Sequence, residues 1–154
     1  MTAAAHARRA VDEATTAMEA LHRLNSHVLQ TGGASTAILA IIRPLRVEIA
    51  SVGDGEAYVL GADGRVAALS PQDRASPNRL VDHLGWTGLR GHAGDWQAPE
   101  AVLLCTDGVN DVVGADELGR AIVGAGNQMA GLAKAVMEAG CPDDATALLA
   151  RRSR

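Results

Sequence analysis

The hydrophobic period changes once, at Thr31-Gly32-Gly33, and that change limits what the chain can fold into. Before it, Val11, Ala14, Met18, Leu21, Leu24 and Val28 recur at helical spacing, which predicts one or two helices over 3–30, broken at Asn25-Ser26. After it come short apolar runs separated by tight turns. The run "ASTAILAIIRP" (34–44) is closed by Pro44. In "LRVEIASVGD" (45–54), Leu45, Val47 and Ile49 point one way and Arg46 and Glu48 the other. "EAYVLGADGRVAALS" (56–70) holds two strands around the turn Ala62-Asp63-Gly64. Successive short strands of this kind predict an antiparallel sheet with one covered face.

Residues 71–99 mix Pro, Gly, Trp and charge in a long connection, with a short helix expected at "NRLVDHLG" (78–85). A strand at 101–106, helices near 115–123 and 127–139, and a final strand within "CPDDATALLARR" (141–152) complete an α+β order, helices packed on antiparallel sheet. A length of 154 residues suits a single domain, 1–154. Its core must be filled by Ala, Val, Leu and Ile, because Tyr58, Trp86 and Trp96 are the only aromatic residues. Both tryptophans are expected to anchor the long connection. A net charge of -4 leaves no basic footprint for nucleic acid or an anionic membrane. No stretch has the apolar length of a membrane span, and "MTAAAHARRA" lacks the apolar core of a secretory signal. Cys105 and Cys141 lie in neither metal-ligand nor disulfide-framework spacing, so a reducing cytoplasmic setting is expected, with Cys105 an inert buried thiol. The five histidines share no metal-ligand spacing and read as surface residues.

Three aspartates carry the chemical interest. Asp54 follows "IASVG", Asp107 follows "VLLCT" and Asp143 stands just before "ATALLA". Alone, each reads as a turn residue at the end of an apolar strand. Such strands can also hold a backbone rigidly while the carboxylate reaches the rim. If the three rims coincide, the carboxylates repel one another by roughly 4 kcal/mol per pair at 4 Å and an effective dielectric near 20, so the cluster must bind protons or a cation. Oxygen ligands without His or Cys select a hard ion, Mg²⁺ or Mn²⁺, and such ions serve phosphate chemistry.

In order, "GGASTAILAII", "VEIASVGDGEAYVL", "GRVAALSPQDR", "VLLCTDGVNDVV" and "CPDDATALLARR" resemble the PPM-type metal-dependent protein phosphatases, also called the protein phosphatase 2C family. That pattern runs Gly-Gly-Ser/Thr-Ala, Val-Gly-Asp-Ser-Arg-Ala-Tyr, Leu-Thr-x-Asp-His, Leu-Leu-x-Ser-Asp-Gly-Leu-x-Asp, and Asp-Asn-x-Thr. The resemblance covers about 32–152, and "LVDHLGW" is similar to the short helix that often precedes the Ser-Asp-Gly strand in bacterial members. It implies an antiparallel β-sandwich flanked by helices. It also implies a phosphoserine/phosphothreonine phosphatase in which a metal-activated water attacks the phosphoryl group. Asp107 and Asp143 then bind a catalytic Mn²⁺ or Mg²⁺, Asp54 an additional, weaker metal, and Gly108 permits close backbone packing beside the metal. Asp144 stands where the pattern has Asn, and Gly55-Glu56 replaces Ser-Arg.

The family pattern opens with two further blocks, Arg-x-x-Asn-Glu-Asp and Asp-Gly-x-Gly-Gly, which are not in this sequence. They supply the phosphate-gripping arginine, a metal-binding acid and the aspartate that bridges both metals. The resemblance therefore implies an N-terminally truncated form. Either it is a fragment, or a partner supplies the strands, or it is a non-catalytic binding module that regulates a kinase or signalling partner. Mn²⁺-dependent hydrolysis is expected only with those blocks restored, a phosphoprotein or kinase is the expected partner, and an incomplete sheet favours self-association.

Overall fold

A computed structural model describes residues 3–76, 79–123 and 128–152. Helix α1 (Ala3–Asp12) is followed after a short corner by α2 (Ala17–Thr31). The break lies at 13–16 rather than at Asn25-Ser26 as expected. Thr16 takes an extended conformation and its hydroxyl accepts the Glu19 N–H at 3.1 Å, while the Glu19 carboxylate accepts the Thr15 N–H at 2.8 Å. This reciprocal cap starts a new helix with its orphan donors satisfied. Within α2, Asn25 is buried and turns its amide outward from the helix to another segment, and Ser26 bonds back to the His22 carbonyl at 3.0 Å, so neither interrupts it.

Strands β1 (Ala37–Arg43) and β2 (Arg46–Val52) form a hairpin in which Arg43 pairs with Arg46. The chain then crosses to a second sheet through β3 (Glu56–Gly61) and β4 (Val66–Ala68). A two-stranded ribbon, β5 (Arg74–Ser76) and β6 (Arg79–Leu80), precedes β7 (His92–Gln97) and β8 (Pro99–Cys105). Helices α3 (Asp107–Asn110), α4 (Ala115–Val123) and α5 (Gln128–Glu138) lead to β9 (Ala147–Arg151). The sheet orders are β1-β2-β7 and β4-β3-β8-β9, with every pairing antiparallel.

The two sheets lie face to face between helical layers. Val47, Ile49, Ala57, Val59 and Val102 fill the space between them. On one outer side, Ala17 and Leu21 of α2 pack on Ala50 and Val52; on the other, Leu118, Ile122, Leu132 and Val136 of α4 and α5 cover Tyr58, Leu60 and Leu103. The expectation of a sheet with one covered face is corrected here: β2, β3 and β8 are buried on both, and even Glu48 of β2 is only 9 % exposed. Aliphatic residues in both phases of a strand are what such a middle layer requires, each buried Val, Leu or Ile contributing about 1.5–3 kcal/mol.

The region 78–85 is not helical. Among its described residues, Arg79 and Leu80 form β6, and Leu84 makes a bridge to Ser35 through Leu84 N–H to Ser35 carbonyl (2.8 Å) and the reverse bond (3.3 Å). Its backbone partners lie in distant segments, so the local helical pattern loses. Strand β7 falls in the stretch expected to be a loop. Its Gly, Asp and Gln are poor strand formers, and β2 recruits it as an edge, with Trp96 turned into the inter-sheet core.

Candidate active site

Three of the sheet-to-loop transitions come out at one end of the sandwich. The corner Gly53-Asp54-Gly55 carries the chain from β2 to β3. Gly53 has φ +100°, and a Cβ there would lie 2.3 Å from the Thr36 methyl. A Cβ on Gly55 would sit 2.9 Å from the Cys105 carbonyl and 2.7 Å from Ile38, which explains why Gly replaces the Ser of the family pattern. Asp54 is thus presented by a corner with no room for side chains on either flank.

Strand β8 ends at Cys105, Thr106 takes the N-cap position, and Asp107 opens the four-residue α3. The Asp107 Oδ1 accepts its neighbour Gly108 N–H at 2.9 Å, which fixes the carboxylate. Asn110 ties this turn to the corner by donating from Nδ2 to the Asp54 carbonyl at 3.2 Å. The Asn110 Oδ1 is buried and has no hydrogen-bond partner among the described residues.

The carboxylates of Asp54, Asp107 and Asp111 converge on one cation, Arg74. Its Nε reaches Asp54 Oδ2 at 3.2 Å, Nη2 reaches Asp107 Oδ2 at 3.0 Å and Nη1 reaches Asp111 Oδ2 at 2.6 Å. The Arg74 side chain is only 14 % exposed. Hydrogen bonding to Asp111, ahead of that to Asp54, raises its affinity for its proton further against the opposing effect of burial. Three carboxylates against one guanidinium leave the cluster formally two charges negative.

The segment bearing Asp143 reaches the same end because β9 pairs with β8, Cys105 opposite Ala147. Thr106 stitches it down: its N–H donates to the Thr146 carbonyl at 3.0 Å and its hydroxyl accepts the Thr146 N–H at 2.9 Å. Gly108 lies so close to the Asp144 carbonyl that a Cβ would approach within 2.5 Å. Asp143 is exposed, and its Oδ1 caps the Asp144 N–H at 2.7 Å rather than bonding Arg74.

The sequence profile of the protein phosphatase 2C family matches residues 2–139. The chain belongs to the protein phosphatase 2C family. Its fold is that of solved serine/threonine phosphatase domains. No curated protein matches the chain. Among solved structures, the Mycobacterium tuberculosis serine/threonine phosphatase PstP/Ppp shares 17 % identity and superposes with a TM-score of 0.82 over 99 % of this chain and 82 % of its own. The PstP catalytic domain in complex with two manganese ions gives 19 %, 0.77, 97 % and 80 %. A bacterial serine phosphatase gives 18 %, 0.76 and 86 %, and this chain spans 66 % of its length, just under two thirds.

Measured against that family, the oxygen-only donors suit a hard divalent ion on the side of Asp107 and Asp143, where the carboxylates are oriented by backbone N–H groups and negative charge is in excess. The Asp54 side does not fit as well: Asp54 and Asp107 each give one oxygen to Arg74, but only Asp107 has beside it a further segment, that of Asp143, whose carboxylate makes no bond to the guanidinium. No three His, Cys, Asp or Glu side chains among the described residues form a ready-made cage. Two site residues escape a reading of the sequence, Arg74 and Asp111. The signals are there, since Arg74 closes "SPQDR" where the family block ends in His, and Asp111 is the last acid of "TDGVND".

Of the remaining candidates, Cys105 is buried and unsuited to nucleophilic work, its thiol pushed up to about 12 chiefly by burial. His92 pairs through Nε2 with Asp73 at 2.6 Å. Trp86 is not buried as an anchor would be; it is 45 % exposed with its ring against His83.

Proposed function

We propose that this domain hydrolyses phosphoserine and phosphothreonine in proteins, with Asp107 and Asp143 holding Mn²⁺ or Mg²⁺. The observation that carries the reading is the stitching of the Asp143 segment against the turn that presents Asp107, through Thr106 and the Cβ-free surface of Gly108. A divalent ion bound there supplies charge neutralisation for phosphoryl oxygens and a more acidic water. The chain's own contribution is to fix both carboxylates through the N–H groups of Gly108 and Asp144, and to leave the rim negatively charged.

Two carboxylates fill only part of an octahedral shell and leave the rest to water, substrate phosphate or further protein ligands. We assign the remaining protein ligands to strands pairing with the free edges β1 and β9, which border a groove of about 460 Å³ lined by Ile42, Pro44, Pro99 and Ala150. Ile42 and Leu148 are exposed on those edges. A phosphoprotein substrate and a cytoplasmic setting complete the proposal, the latter supported by two free thiols. Nothing in the fold or the comparisons favours the non-catalytic alternative.

The test is phosphate release from a phosphothreonine peptide by this domain joined to the family's two opening blocks. Mn²⁺-dependent turnover abolished by Asp107→Asn is the expected result. Turnover that survives Asp107→Asn, or that is unaffected by a chelator, overturns the reading.

A further inference from the structure

We propose that Arg74 is a cation built into the chain that stands in for a divalent ion on the Asp54 side of the site, so that Asp54 ligates no metal in this protein. Each edge of the guanidinium is committed to a different carboxylate, those of Asp54, Asp107 and Asp111. Arginine does not lose its proton in proteins, and its planar fork matches carboxylate oxygens better than a lysine point charge would. A metal at the Asp54 oxygen would have to expel this charge or sit against it, whereas on the Asp107 side the Asp143 carboxylate, which makes no bond to Arg74, is left to hold an ion.

The position of Arg74 is set by backbone rather than by a searching side chain. The Asp73 N–H donates to the Gly53 carbonyl at 2.8 Å, and the Asp73 Oδ2 accepts the Gly53 N–H at 3.1 Å. The Val81 N–H donates to the Asp73 carbonyl at 2.8 Å, and Arg74 pairs with Leu80 in the two-stranded ribbon. His92 holds the other Asp73 oxygen at 2.6 Å. The loop that carries Arg74 is therefore bolted to the corner that carries Asp54. Asn110 adds a further tie to that corner, its Nδ2 donating to the Asp54 carbonyl at 3.2 Å, and among the described residues its buried Oδ1 has no hydrogen-bond partner.

This inference concerns metal capacity and does not rest on phosphatase activity. The experiment is a Mn²⁺ titration without substrate, read by the electron paramagnetic resonance of free Mn²⁺, on the wild-type chain, Asp54→Asn, Arg74→Gln and the double variant. Asp54→Asn is expected to leave the number and affinity of Mn²⁺ sites unchanged. Arg74→Gln is expected to gain one Mn²⁺ equivalent, and adding Asp54→Asn to remove it. A wild-type chain that loses a Mn²⁺ equivalent, or about tenfold or more in affinity, on Asp54→Asn overturns the proposal. So does a folded Arg74→Gln that gains no site. If Arg74→Gln fails to fold by circular dichroism, the Asp54→Asn comparison in the otherwise native chain decides. A wild-type chain that binds no Mn²⁺ while Arg74→Gln binds one supports Arg74 as the resident cation and counts against Asp107 and Asp143 as a sufficient pair.

Discussion

Replacing Gly108 with Ala tests the close approach on which the site depends, and its sign is informative. Gly108 lies inside α3, so on helix propensity alone the added methyl should stabilise by about 0.5–1 kcal/mol. The tertiary contact predicts the opposite. The new Cβ would lie 2.5 Å from the Asp144 oxygen, 2.8 Å from its carbonyl carbon and 3.2 Å from the Ala145 Cα. Those are backbone atoms, held by the 3.0 Å and 2.9 Å bonds between Thr106 and Thr146, and they cannot rotate aside as a side chain would. Overpacking against immobile backbone falls in the upper part of the usual range, about 2–3 kcal/mol, which leaves a net loss of about 1–2.5 kcal/mol after the helix gain. For a chain of this size that is a fall of roughly 2–10 °C in Tm. Thermal and urea unfolding followed by circular dichroism measure it. Gly131→Ala is the control, an exposed glycine of α5 whose Cβ meets no atom within 4 Å, and it should gain about 0.5–1 kcal/mol. If Gly108→Ala matches or exceeds the wild type while Gly131→Ala behaves as expected, the Asp143 segment is not held against α3 and the proposed metal pair loses its geometric basis.

Three more outcomes are expected. Asn25→Ala removes the side chain that accepts the Gly85 N–H at 2.7 Å and donates to the Trp86 carbonyl at 3.0 Å, costing about 1–3 kcal/mol for each group left unpaired; a lower urea midpoint at unchanged slope checks it. Near neutral pH a thiol reagent should modify exposed Cys141 at once and Cys105 only on unfolding, since burial holds the Cys105 thiol near 12; equal labelling of both in the native state contradicts the buried position. Glu19 is held down to about 2, first by the Thr15 backbone N–H and then by the Thr15 hydroxyl and Arg23, against an ordinary value of 4.5. Its stabilisation of the α2 cap is therefore present above 4.5 and fades as pH falls toward 2, and Glu19→Gln should flatten that part of an acid titration of the helical signal.

The elements that local chemistry controls were legible in the sequence: helical structure over 3–30, though not where it breaks, the end of a strand at Pro44, the hairpin around Ala62-Asp63-Gly64, strand β8, and helices α4 and α5. Their periodicity and turn residues act over a few positions, so the residues that decide them are adjacent. The order of five blocks also carried the family, because each block pairs a strand with the acid or glycine at its end. Long-range pairing decided the rest. The helix pattern at 78–85 yielded because Leu84 found its backbone partners at Ser35, and the polar stretch 92–97 became a strand because β2 had an open edge.

The same division runs through the site. Asp54 and Asp107 stood out because each follows an apolar strand, and Asp143 because it stands just before one, a local feature in every case. That Asp54 and Asp107 meet with Asp111 on Arg74, while Asp143 does not, follows from where the two sheets place four loops relative to one another. A single guanidinium can select among carboxylates only once the fold has set their distances, and distances between residues dozens of positions apart are a property of packing.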